Sequence, residues 1–216
     1  MTAMLAVLDP LLCTLLPASV GASSGADALT HAVESFVSVN SNPITETLAL
    51  RAVKLISENL RSAVLGNDNV ESTGNMLLAS CMAGLAFPST ALGNGHAMSM
   101  PLGSLLDIPH GIANAILLPY VMEYNVPAAL HKFALIAEAM GEETLYLSPL
   151  ESGWLAVEAV KRLFADVGLP RTLSEVGCKE SHIPTLAEEA ITSWNIQANP
   201  RKTSKDDIIS LYKAAL

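Results

Sequence analysis

The apolar residues of this chain recur at helical spacing almost without interruption from Pro17 to Leu216. Such a period commits a chain to helix-on-helix packing, because each helix must bury its apolar stripe against another. The expected helices are Ala28–Val39, Ile44–Gly66, Glu71–Phe87, Leu92–Leu106, Ile112–Tyr124, Ala128–Met140, Leu150–Val167, Ile183–Thr192 and Lys205–Ala215. Several ends carry local signals: Pro43 opens the second helix, Gly66-Asn67 stops it, and Pro88 follows the third. Thr203-Ser204 precedes the last helix, whose Asp206 and Asp207 suit the positive end of a helix dipole. Ile112–Tyr124 is nearly all apolar and is expected at the centre. The exception to the helical pattern is Met4–Leu8, a short apolar run ended by Asp9-Pro10, which reads as a buried strand. It has no convincing partner elsewhere, and a lone buried strand leaves its backbone unpaired. The expected fold is therefore all-α and multi-helical with one leftover N-terminal strand. Residues 1–16 form the strand and a linker, and residues 17–216 form the helical domain.

Composition narrows the function classes. The chain has 216 residues and a formal net charge of −9, from 12 Lys+Arg against 21 Asp+Glu. That balance argues against nucleic acid, whose phosphates need clustered Lys and Arg, and against a basic membrane-binding face. The mean hydropathy of +0.39 raises the question of membrane spans. The longest apolar stretches, such as Ile112–Met122, are too short to cross a bilayer and are broken by Asn114 and Pro119. The apolar N-terminus lacks the basic start of a signal peptide, since the first Lys or Arg is Arg51. Cys13, Cys81 and Cys178 lie far apart with no CxxC spacing, and are expected as three buried thiols of a cytoplasmic protein.

Three of the five histidines invite chemistry; His131 and His182 sit in ordinary polar surroundings. Asp27 and His31 stand at i and i+4. That spacing turns about 40° and rises about 6 Å, so both side chains share a helix face. A carboxylate and an imidazole on one face form half of a divalent metal site. Glu34 continues the stripe, from where it can orient the ring of His31. The plainer alternative is that Asp27 serves a helix N-terminus and His31 packs in the core. His96 and His110 frame GHAMSMPLGSLLDIPHG. In one straight helix they would lie about 21 Å apart along the axis. Pro101, Gly103 and Pro109 favour a helix, a turn and a new helix near His110, which can bring the rings together. Two isolated histidines are the alternative. Gly93-Asn94-Gly95 is too short for a nucleotide fingerprint and suits a close backbone approach before His96. HExxH, paired ExxH, EF-hand, GxSxG, P-loop and GxGxxG patterns are all absent from the sequence.

At these residues the sequence resembles the iron-containing alcohol dehydrogenases. GADALTHAVESFVS (Gly25–Ser38) and GHAMSMPLGSLLDIPHGIANAILLPYVMEYN (Gly95–Asn125) are similar to two signature regions of that family. NMLLASCMAGLAF (Asn75–Phe87) and NPRKTSKDDIISLYKAAL (Asn199–Leu216) match as well, so the resemblance runs nearly end to end. It implies a helical C-terminal domain that binds a divalent metal through Asp27, His31, His96 and His110, with Phe87 near the substrate pocket. It also implies Fe²⁺, replaceable by Zn²⁺, acting as a Lewis acid in hydride transfer between a primary alcohol or aldehyde and NAD or NADP. A cytoplasmic dimer is expected.

The sequence departs from the family pattern in two places. Family members carry an N-terminal α/β domain for the dinucleotide, and this sequence begins at what resembles that domain's last strand. The isolated chain is therefore expected to bind nicotinamide weakly, and no dinucleotide-binding residue is assigned in it. Many members also carry a further histidine four residues after the third ligand, where this chain has Met100. A thioether cannot relay protons, so Met100 is expected as a pocket residue of a softer, more apolar site. Two other readings remain at this stage. One is a zinc polyol dehydrogenase of the same superfamily; the other is a non-catalytic helical assembly or metal-binding module.

Overall fold

A computed structural model describes residues 5–13, 15–66 and 69–216. Among these the chain forms nine α-helices: α1 (Ala18–Val37), α2 (Pro43–Leu65), α3 (Val70–Thr90), α4 (Asn94–Leu106), α5 (His110–Asn125), α6 (Leu130–Ala139), α7 (Pro149–Asp166), α8 (Ile183–Ala190) and α9 (Lys205–Ala214). The ends follow the chemistry of the sequence. Asn42 accepts from the backbone N–H groups of Ile44 and Thr45, Thr45 answers with its hydroxyl, and Pro43 occupies the first turn of α2. Ser148 with Glu151 and Ser204 with Asp207 make the same reciprocal box at α7 and α9.

Two helices differ from the expected spans by more than two residues at one end. The first begins at Ala18, ten residues before the apolar stripe. Ser23-Ser24-Gly25 resembles a break but lies inside α1, because Gly25 lets α1 press against α2 and α3. A Cβ there would stand 2.4 Å from Leu60 Cδ1 and 3.0 Å from Met76 Cε. Asp27 is thus in mid-helix and serves no N-terminus. The third helix passes through Pro88 to Thr90, whose carbonyl accepts from Ser38 Oγ at 2.7 Å and Asn40 Nδ2 at 3.3 Å.

Met4–Leu8 is corrected. Met4 lies outside the described residues, and residues 5–9 run irregularly. Leu5 and Val7 are about four-fifths exposed, at 81% and 80%. No strand exists among the described residues to pair with this segment, so nothing satisfies a second edge. The thiols are corrected as well: Cys178 is buried, but Cys13 and Cys81 are only half-buried.

The helices enclose two apolar clusters that meet at α5. Ala115, Leu118 and Met122 of α5 pack in the larger one with α1, α2, α3, α6 and α7. Ala113, Ile116, Leu117 and Val121 pack in the other with α4, α8 and α9. A helix that is apolar on every side belongs in the middle, as the sequence implied. Among the described residues no single helix is long and apolar enough to cross a membrane.

Candidate metal centre

Three helices converge on one point. The middle of α1 carries Asp27, His31 and Glu34 on one face, the first turn of α4 carries His96, and α5 begins at His110. A reversal between α4 and α5 makes this possible. Asp107 takes a left-handed backbone (φ 56°) and its N–H closes on Gly103 O, after which Pro109 starts α5. The rings of His96 and His110 then lie with centroids 5.3 Å apart. The expected helix, turn and new helix are present.

Asp27 Oδ1 stands 3.6 Å from His96 Nε2 and 3.5 Å from His110 Nε2. A tetrahedral ion with bonds near 2.1 Å has ligand–ligand edges of about 3.4 Å, so both separations from Asp27 are metal-like, and the three donor atoms all lie within 4.8 Å of one another. One carboxylate oxygen with imidazole nitrogens is also a donor set that iron(II) and zinc accept. His31 borders this trio. Its Nδ1 is 3.7 Å from Asp27 Oδ2, its ring is 4.4 Å from that of His96, and it stacks on Phe87 at 4.9 Å. Met100 lies one turn beyond His96 and is 61% exposed. His131 and His182 lie outside the cluster, His182 accepting the Lys179 N–H through Nδ1.

Glu34 does not orient His31; it holds His96. It is buried, and its Oε2 accepts from His96 Nδ1 at 2.7 Å. The same carboxylate accepts the backbone N–H groups of Gly93 (3.0 Å), Gly95 (2.6 Å) and His96 (3.3 Å). Gly93 provides no side-chain cap, so an acid on α1 caps α4 from outside and fixes its first histidine in one act. The glycines are needed for this approach. A Cβ on Gly95 would stand 2.8 Å from Glu34 Oε1, and one on Gly93 2.9 Å.

The charges fit a cation. Burial raises the Asp27 carboxyl, but His96, His31 and Asn114 outweigh it and hold it at about 2. Burial and the neighbouring His96 push His31 down to about 4, and burial also lowers His110. Burial opposes charge on His96, yet Asp27 and Glu34 on either side draw it up to about 9. His31 and His110 therefore offer lone pairs at neutral pH, and the proton on His96 is what an incoming cation would displace.

Sequence reasoning missed Asn114. It is fully buried on α5 one turn after His110, and its Nδ2 donates to Asp27 Oδ1 at 2.6 Å. The signal was an amide inside a nearly all-apolar helix, one turn from a histidine. Its Oδ1 is buried with no hydrogen-bond partner among the described residues, an orphaned acceptor at the edge of the cluster.

A family model described as "Fe-containing alcohol dehydrogenase family, C-terminal" matches residues 21–216. The chain belongs to the Fe-containing alcohol dehydrogenase family. A 1,3-propanediol dehydrogenase of Citrobacter freundii is 46% identical over 207 residues, covering 96% of this chain and 54% of that protein. An NAD-dependent methanol dehydrogenase of Bacillus methanolicus is 36% identical, covering 100% of this chain and 56% of that protein. Among solved structures, a 1,3-propanediol oxidoreductase superposes with a TM-score of 0.95 at 45% identity, over 96% of this chain and 55% of that one. The chain thus spans about half the length of the Fe-containing alcohol dehydrogenases it matches, and its helices are arranged as theirs are.

Proposed function

We propose that this chain provides the metal centre of an alcohol dehydrogenase or aldehyde reductase, with Asp27, His31, His96 and His110 as ligands of Fe²⁺ or a substituting Zn²⁺. The observation that carries this reading is the convergence of Asp27, His96 and His110 from three helices, with Asp27 Oδ1 3.5–3.6 Å from both ring nitrogens. A divalent cation at such a site supplies Lewis acidity toward an alcohol or carbonyl oxygen. Asp27 supplies the negative charge, and Glu34 keeps the His96 ring aimed. His110 leaves one side open, its side chain being 41% exposed. The alcohol or aldehyde approaches from that side, with Phe87 and the thioether of Met100 as apolar wall and rim. Primary alcohols and short diols are the proposed substrates, supported by the names of the similar dehydrogenases.

Hydride transfer needs a carrier, since no side chain serves as one. NAD or NADP is the proposed carrier, and no residue of this chain is assigned to it. Residues 17–216 are the proposed catalytic domain and residues 1–16 its linker. A cytoplasmic dimer accompanies this reading, supported by the family resemblance and the free thiols.

Metal analysis tests the site directly. The chain reconstituted anaerobically with Fe²⁺, or in air with Zn²⁺, is expected to retain near-stoichiometric metal after desalting. Asp27→Ala and His110→Ala are expected to reduce it to background while the helical circular dichroism persists. Retention of full metal by both variants would sink the assignment.

A further inference from the structure

We infer that Asn114 is a positioning residue of the metal centre, whose amide holds the three donors at ligand spacing; this rests on the metal reading above. Its Nδ2 is 2.6 Å from Asp27 Oδ1, 3.2 Å from His96 Nε2 and 3.1 Å from His110 Nε2. One amide nitrogen thus touches each of the three donor atoms, and it comes from the same helix as His110. An amide N–H can donate only to a lone pair. Glu34 accepts from His96 Nδ1 and so leaves Nε2 as the atom of that ring facing the cluster. The amide has two hydrogens, so it donates to Asp27 Oδ1 and to one ring nitrogen at a time, and the atoms it gathers are those a cation would use.

The geometry also explains why an amide stands there. Asp27 is a quarter exposed, at 24% of its side chain, and is free to turn toward water. The short bond from Asn114 pins Oδ1 inward. The amide carries no charge, so it gathers two imidazoles and a carboxylate without repelling a cation, which on arrival takes over those donor atoms. The amide oxygen has no hydrogen-bond partner among the described residues, which is unfavourable in a buried position. That pattern marks a group fixed by its donor side, where the cluster lies.

Cobalt(II) is the probe, since its visible spectrum reports coordination geometry independently of activity. Asn114→Ala is expected to lower Co²⁺ affinity about 10–100-fold, as loss of a group that orients ligands does elsewhere, and to change the visible bands of the bound ion. Asn114→Asp keeps the shape but places a carboxylate against Asp27. It is expected to melt lower than wild type without metal and to gain more from added Co²⁺. Wild-type affinity and spectrum in Asn114→Ala, or an Asn114→Asp that melts like wild type with and without Co²⁺, would overturn the role of Asn114 alone. A wild-type chain that takes up no Co²⁺ would overturn the metal reading beneath it.

Discussion

Gly111→Ala is expected to unfold at a markedly lower temperature than wild type and to bind the proposed metal less tightly. An alanine Cβ at this position would stand 2.4 Å from the carbonyl oxygen of Ser23 and 2.8 Å from its carbon. Those atoms belong to the backbone of α1, so no side chain can rotate away. Relief requires α5 to retreat from α1 by about 1 Å, an overpacking that costs roughly 1–3 kcal/mol or more. For a domain of this size each kcal/mol lowers the melting temperature by roughly 2–4 °C. The functional effect follows from where the contact lies. Ser23 is one turn before Asp27, and Gly111 adjoins His110 and precedes Asn114 by three residues. The α1–α5 spacing therefore sets the 3.5 Å between Asp27 and His110 and the 2.6 Å between Asp27 and Asn114. Gly84→Ala is the control. Its Cβ would meet nothing within 4 Å inside α3, so it is expected to stabilise the chain by about 0.5–1 kcal/mol. Thermal unfolding followed by circular dichroism, with and without Zn²⁺, reads both. A wild-type melting temperature in Gly111→Ala would mean that the two helices do not meet as described.

Most of this fold is legible because helical periodicity is a local property. The ends of α7 and α9 lie within a residue of their expected places, where Ser148, Ser204 and nearby acids make reciprocal caps. The start of α1 was not legible. Ser23-Ser24-Gly25 has the chemistry of a turn, yet it lies inside α1 with Gly25 packed closely on Leu60 and Met76. The segment at Met4–Leu8 failed for a related reason. Strand propensity describes what a segment can do beside a partner, and none is present among the described residues. The candidate site divides in the same way. Asp27 and His31 are visible from their spacing, and the turn that brings His110 to His96 is visible from Pro109. The reach of Glu34 to His96, and of Asn114 to all three donors, depends on how α1, α4 and α5 cross. No spacing within one segment encodes that.

The crossing of α1 and α4 rests on one carboxylate, so Glu34→Gln is expected to be the most damaging isosteric change. The two oxygens of Glu34 face four N–H groups: those of Gly93, Gly95 and His96 in the backbone, and Nδ1 of the His96 ring. A glutamine keeps one acceptor and turns an N–H₂ toward the rest, so at least one buried donor loses its partner and another is opposed. The negative charge at the start of α4 disappears with it. Removing one member of a buried charged pair costs about 3–5 kcal/mol, which here lowers the melting temperature by on the order of 10 °C. Metal binding is expected to fall about 10–100-fold in whatever fraction remains folded, because the His96 ring has lost the carboxylate that fixes its tautomer. Glu34→Asp separates the two contributions. It restores the charge but is one methylene short, so it is expected to recover part of the stability and little of the metal affinity. Melting curves with and without Zn²⁺ decide between these outcomes. A Glu34→Gln variant that melts and binds Zn²⁺ like wild type would show that α4 is held by something other than this carboxylate.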